Sequence, residues 1–215
     1  MICTLAVGPH VDLLEIVRPS LERYALRHGY DLVVRTGTSG LNGRPPSWGK
    51  VALVRGLLDR YDVVVWIDVD AVIVDPSRDI APTGPRRPMH LVTHVIGGVP
   101  IPNAGVFVMH RSPTAVRLLE RIWHDERWIH HRWWENAALI AAVGGDGDVG
   151  LTTRRSRWRA RRLLGPLHPR WNSIPTCPDP DPAIMHLAGV PHAERIERLQ
   201  ALVDTGWNRP LVSPH

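Results

Sequence analysis

At 215 residues the chain is long enough for one well-buried domain and short for two, since domains commonly take about 100–200 residues. Hydrophobic residues make up 44% and charged residues 22%, a balance that excludes a disordered or fibrous chain and predicts a packed core. The formal charge is +5 and every base except Lys50 is an arginine, so anionic partners are favoured without a choice among phosphates, nucleic acid and anionic lipid heads.

Cys3 and Cys177 are the two cysteines, with no CxxC and no metal-type spacing, so neither a disulfide framework nor a zinc site is indicated and a reducing cytoplasm fits. MICTLAVGPH has no basic segment followed by a long apolar stretch, and nowhere is there an apolar run of about 18 residues. The expectation is a soluble cytoplasmic protein.

In chain order, ICTLAV (2–7) reads as a first strand stopped by Gly8-Pro9. Residues 11–29 place Leu13, Leu14, Val17, Leu21 and Leu26 at helical spacing, with Gly29 as a stop and Pro19 as a point where the helix divides or kinks. DLVV (31–34) is a second strand. After the loop TGTSGLNGRPPS, residues 48–61 form a helix with Val51, Val54, Leu57 and Leu58 on one face, and DVVVWID (62–68) is a third strand. This alternation predicts an α/β fold with a mostly parallel central sheet, whose ligands sit beyond the carboxyl ends of the strands.

The second half is less regular. Residues 89–96, 104–110, 161–167 and 183–189 read as strands, and 112–123, 135–143 and 192–204 as helices, the last strongly amphipathic. CPDPDP (177–182) is a surface loop. We expect a single domain, 1–215, in two halves at about 1–110 and about 111–215.

Chemistry enters at Asp68 and Asp70 inside VVVWIDVDAVIVD (63–75). Residues two apart on a strand point to the same side, and a turn would also let them converge, with different geometry. Two adjacent carboxylates repel, and one takes a proton unless a cation sits between them. Hard oxygen ligands of this kind suit Mg²⁺ or Mn²⁺, ions that usually also hold substrate phosphates. The plainer alternative is that Asp68 caps the next segment and Asp70 is solvated.

Residues 47–75, SWGKVALVRGLLDRYDVVVWIDVDAVIVD, resemble the corresponding stretch of the retaining α-glycosyltransferases that include fungal α-galactosyl- and α-mannosyltransferases and plant xyloglucan xylosyltransferases. The resemblance continues at Asn103-Ala104-Gly105-Val106-Phe107 and at His186-Leu187-Ala188-Gly189. It implies the GT-A nucleotide-diphospho-sugar transferase fold, with a DxD motif holding Mn²⁺, or Mg²⁺, against the diphosphate of a UDP-sugar, a GDP-sugar being the alternative donor.

Carried over by position, Asp68 contacts metal and donor ribose, Asp70 is the stronger direct ligand, and His186 completes the protein ligands. Lys50 is placed to approach the donor diphosphate, and Asn103, Gly105 and Gly189 line the donor. Glu135-Asn136 stands where the family carries Asp-Gln, and would steady positive charge at the anomeric carbon. A capping role explains that pair too.

Trp123, Trp128, Trp133 and Trp134 suit either an acceptor platform or core packing. TTRRSRWRARR (152–162) is the strongest basic cluster. A solvated face is its usual meaning, with an anionic acceptor or peripheral membrane contact also open, and nucleic acid is not expected. The expected activity is transfer of a hexose or pentose to an unidentified glycan, small-molecule or peptide acceptor. The rivals are a haloacid dehalogenase-type phosphohydrolase, disfavoured because the one lysine lies upstream of the DxD, and a non-catalytic anion- or RNA-binding domain using Arg154–Arg162.

Overall fold

The alternation of apolar side chains along each central strand sends successive residues into two different cores, one on each face of a sheet. In the computed structural model, which describes residues 1–81 and 87–206, the elements run β1 (Ile2–Ala6), α1 (His10–His28), β2 (Leu32–Thr36), α2 (Gly49–Leu57), β3 (Val63–Ile67), β4 (Ala71–Ile73), β5 (Met89–Ile96) and β6 (Val99–His110). They continue with α3 (Pro113–His124), α4 (Trp134–Ala142), α5 (Arg154–Leu163), β7 (Leu164–Pro166), β8 (Ile184–His186) and α6 (His192–Gly206).

The main sheet has the order β2-β1-β3-β6-β5-β7. β1 pairs parallel with β2 and β3, β5 pairs parallel with β7, and β6 alone runs against its neighbours, so the sheet is mostly parallel as expected. Cys3, Val64, Trp66, Phe107 and Met109 pack with Trp48, just before α2, and with Val54, Leu118 and Leu139 of α2, α3 and α4. Ile2, Val65, Ile67, Val106 and Val108 pack on the other face with Leu13, Val17 and Leu21 of α1, Ile184 of β8 and Leu199 of α6. Both faces are covered, which is why 63–67 is apolar at every position.

Three expectations are corrected in detail. Helix α1 passes through Pro19 as one unbroken element and ends where Gly29, at φ 68°, donates its N–H to Ala25 O. The strand expected at 104–110 begins at Val99, as the second arm of a hairpin with β5. Residues 161–163 are the last turn of α5 rather than strand, because Thr153 and Ser156 form a reciprocal capping box that starts a helix there, and only 164–166 are extended.

Two irregularities shape the molecule's functional end. The apolar run 63–75 is two strands: β3 ends at Ile67, and β4 turns into a separate two-stranded sheet where Ala71 pairs with His186 of β8. Along β5, the partner in β6 jumps from Phe107, opposite Leu91, to Asn103, opposite Val92, so Ala104, Gly105 and Val106 bulge out of that ladder.

Beyond β4 the chain is pinned to α1 by one buried phenol. The Tyr24 hydroxyl donates to Arg78 O at 3.0 Å and accepts from Ile80 N–H at 2.8 Å. Tyr24→Phe keeps the ring but leaves both backbone groups without this partner. We expect it to lower the unfolding free energy by about 1–3 kcal/mol in urea titration, and an unchanged midpoint would show that the segment's other contacts, His28 Nε2 with Pro76 O at 2.9 Å among them, suffice without it.

Candidate active site

The turn between β3 and β4 aims Asp68 and Asp70 at β8. Asp68 N–H donates to Gly105 O at 2.8 Å, Ala71 N–H closes the turn on Asp68 O at 3.0 Å, and Leu187 N–H donates to Asp70 O at 2.9 Å. The convergence thus comes from a turn between two sheets and not from one extended strand. His186 Nε2 stands 3.3 Å from Asp70 Oδ1 and 3.8 Å from Asp68 Oδ2, and ligand atoms of all three residues lie within 4.8 Å of one another.

Each carboxylate is held from behind. Asp68 Oδ1 accepts from Trp66 Nε1–H at 2.7 Å and pairs with Lys50 Nζ at 2.8 Å, while Oδ2 lies 3.2 Å from the same ammonium. Asp70 Oδ2 pairs with Arg195 Nη1 at 3.3 Å, leaving Oδ1 to face His186. Cis ligands on an octahedral ion at about 2.1 Å are about 3 Å apart, so the 3.3 Å pair needs little movement to share a divalent cation. Two carboxylate oxygens and one imidazole suit Mn²⁺ or Mg²⁺ and leave positions for phosphate oxygens.

The electrostatics agree with a site built for positive charge. Burial alone would raise the Asp70 carboxyl, but the charge and hydrogen bond of His186, with Arg195 and Lys50, outweigh it and hold Asp70 well below the usual range. Burial works against an imidazolium at His186, yet Asp70 and then Asp68 push its pKa above the ordinary value. A proton on His186 therefore competes for the place a cation would take.

A chain of amides orients that imidazole. Gly105 N–H, a fixed donor, bonds Asn103 Oδ1 at 2.8 Å, and Asn172 Nδ2 donates to the same oxygen at 2.9 Å. The carbonyl of Asn172 must then be the atom 2.8 Å from His186 Nδ1. It can only accept, so Nδ1 carries a proton in either charge state, and in the neutral imidazole the Nε2 lone pair faces the carboxylates. Gly105 also clears the space: a Cβ there would lie 2.1 Å from His186 Cε1. The glycine expected beside the donor sugar thus admits the imidazole, and Asn103 closes the β6 bulge.

Lys50, Glu135 and Asn136 also take places different from those first expected. Lys50 is buried, bridges Asp68 and Glu135 Oε1 at 2.8 Å each, and donates to Ala104 O at 3.2 Å. Its three N–H bonds are engaged by protein, so it acts on the site through Asp68. Burial would lower its pKa, but the charges of Asp68 and Glu135 raise it. Burial pushes the Glu135 carboxyl up despite Lys50. Asn136 Oδ1 accepts from Ala104 N–H at 2.9 Å, in the bulge, and Nδ2 donates to Pro102 O at 3.2 Å beside it. Gly189, at φ 75°, sits in the turn leading to α6.

Of the sequence-predicted residues, Lys50, Asp68, Asp70, Asn103, Gly105, Glu135, Asn136 and His186 form one connected network. Asn172, Arg195 and Trp66 are the additions. Asn172 lies in Pro169–Asn172, a short 3₁₀ helix, and its spacing to the other motifs carries no signal. His94 of β5 is also buried near His186; burial first, then His186, lowers its pKa to about 4, which keeps it neutral. The tryptophans divide: Trp123 and Trp128 pack against the core, whereas Trp134 is exposed.

Known proteins resemble this chain in a stretch of sequence and in fold. The sequence pattern of the galactosyl transferase GMA12/MNN10 family matches residues 9–83. No curated protein matches the chain as a whole sequence. Among solved structures, a glycosyltransferase involved in glycosylation of the major capsid of PBCV-1 is similar at TM-score 0.68 and 16% identity, over 93% of this chain and 98% of that one. The galactosyltransferase LgtC, in complex with donor and acceptor sugar analogs, gives TM-score 0.54 and 14% identity over 95% of each chain. Mouse xyloside xylosyltransferase 1 gives 0.52 and 10%, over 88% of this chain and 99% of that one. The chain has the GT-A fold of these glycosyltransferases, and the resemblance drawn from its motifs is matched over residues 9–83 by the galactosyl transferase GMA12/MNN10 family.

Proposed function

We propose that the protein is a metal-dependent glycosyltransferase that moves a hexose or pentose from a nucleoside diphosphate donor, UDP-linked in the first instance, to an acceptor hydroxyl with retention of anomeric configuration. The observation that carries this reading is the convergence of Asp68, Asp70 and His186 at the carboxyl end of β3 in a GT-A fold. A divalent ion bound there would offset the charge of the departing diphosphate. Asp70 Oδ1, Asp68 Oδ2 and His186 Nε2 would hold it.

The chain's own residues set the frame. Lys50 and Trp66 keep Asp68 in one rotamer, Arg195 keeps Asp70, and Asn172 keeps the His186 lone pair inward. Glu135 and Asn136 lie under the bulge that presents Ala104 and Gly105. With those groups engaged by protein, the acceptor proton passes to a phosphate oxygen on the face that the leaving group vacates, and no side-chain base is required. Glu135 supplies negative charge and shape beneath that face.

Three outcomes follow. Asp70→Ala should lower hydrolysis of, or transfer from, UDP-sugars by at least about 100-fold, as should excess chelator; undiminished turnover in either would remove the metal from the reading. Mn²⁺ affinity, measured by calorimetry, should rise about tenfold per pH unit while imidazolium must lose its proton, and level off above the raised pKa of His186. A flat profile from acid to alkaline buffer would exclude His186 as a ligand. Asn172→Ala should weaken Mn²⁺ binding about 10–100-fold in a chain that still unfolds cooperatively, and Asn172→Asp, which keeps the accepting oxygen, should recover part of that loss.

A further inference from the structure

Helix α5 takes no part in the site described above. Its sequence, RRSRWRARRL, holds six arginines and no acid, and its core contact is made by Ser156 and Ala160. Trp158 lies on the opposite side, 57% exposed. Helical spacing surrounds its indole with Arg154 and Arg155 one turn before and Arg161 and Arg162 one turn after. The Arg162 guanidinium sits over the Trp158 ring, 4.6 Å from its centroid.

The surroundings extend this surface. Arg159 and Arg162 join Arg121 of α3 around a cleft of about 480 Å³ whose floor is the small-residue end of α4, Ala141–Gly144. The acids nearest in sequence are turned elsewhere: Asp148 Oδ1 meets His131 Nε2 at 2.7 Å, and Asp146 Oδ1 accepts from Asp148 N–H at 2.9 Å. Exposed Val149 precedes α5, and Leu151 N–H donates to Pro100 O at 2.8 Å, which ties this segment to a hairpin bearing exposed Val95 and Ile96.

We propose that α5 docks the protein on an anionic lipid surface, with lipid phosphates held by Arg155, Arg161 and Arg162 and the Trp158 indole seated at the headgroup level. Charge complementarity and chemistry select this occupant. Clustered arginines on an amphipathic helix attract anionic headgroups, and tryptophan prefers the membrane interface because one edge is apolar and the other donates a hydrogen bond. A single-stranded nucleic acid would need stacking platforms in a groove. Here one indole stands on the exposed side of the helix with a face taken by Arg162, and the exposed Val149 precedes the helix in the chain. No helix among the described residues is long and apolar enough to cross a membrane, so contact of this kind is peripheral.

Vesicle flotation tests this without any catalytic readout. The full chain should bind phosphatidylcholine vesicles containing phosphatidylglycerol, release them as salt rises, and ignore phosphatidylcholine alone. Exchanging Arg155, Arg161 and Arg162 together for Gln should weaken binding on the order of 100-fold, with thermal unfolding and Mn²⁺ affinity unchanged. Trp158→Ser and Arg161→Glu, each at an exposed position, should also weaken it and give readings independent of the triple variant. Equal binding to neutral vesicles, no loss in these variants, or tighter retention on a single-stranded RNA than on the anionic vesicles would overturn the proposal.

Discussion

One ammonium group buried among carboxylates governs the arrangement of the site. Lys50 is taken out of water by α2, β3 and α4, and its charge persists because Asp68 and Glu135 meet it at 2.8 Å. Removing one member of such a cluster typically costs about 3–5 kcal/mol, since the partners remain buried and uncompensated. The three elements that deliver these side chains are therefore bound to one geometry. Asp68 cannot rotate away without stranding Lys50, and α4 cannot withdraw Glu135 without doing the same. A carboxylate at the end of a strand is thereby held in one orientation.

The β6 bulge is the second half of that constraint. Ala104 and Gly105 leave the ladder with β5, and side-chain amides take up the backbone groups this frees: Asn136 accepts from Ala104 N–H and Asn103 from Gly105 N–H. The freed carbonyls meet Lys50 and Asp68 N–H. Asn103, Ala104 and Gly105 thus satisfy a buried backbone donor, hold the ammonium and open the space for His186. An alanine at Gly105 would collide with the imidazole, so the glycine fixes where His186 can stand through sterics. Asn172 extends the amide chain and gives it direction, because it begins at a backbone donor and ends on the imidazole nitrogen turned away from the carboxylates.

Much of the fold was legible in the chain. Continuous apolar runs between helical periods marked the parallel strands, since a strand covered on both faces has no polar side to show. The DxD, the Asn-Ala-Gly segment and the His-Leu-Ala-Gly segment were tied to one site only through the family they resemble, since each alone is a modest signal. Pro19 misled in one respect: tertiary packing of Val17, Leu21 and Tyr24 holds α1 together across it. The tail of the basic cluster misled in another, because apolar residues at 163–164 straddle a helix end and a strand start.

Side-chain roles were less legible than side-chain identities. Lys50 looked like a phosphate ligand because it opens a helix near the DxD, and only the packing of α4 shows its charge to be consumed by Glu135. Asn172 had no local mark, since an asparagine after a tryptophan in a loop is ordinary until a histidine arrives beside it. Residue types and local periodicity by themselves determined the α/β architecture and the carboxylates at a strand's end. The tertiary structure alone decided which oxygen faces which nitrogen, because that depends on a sheet-to-sheet turn, a bulge and a buried charge cluster whose partners lie up to 85 positions apart.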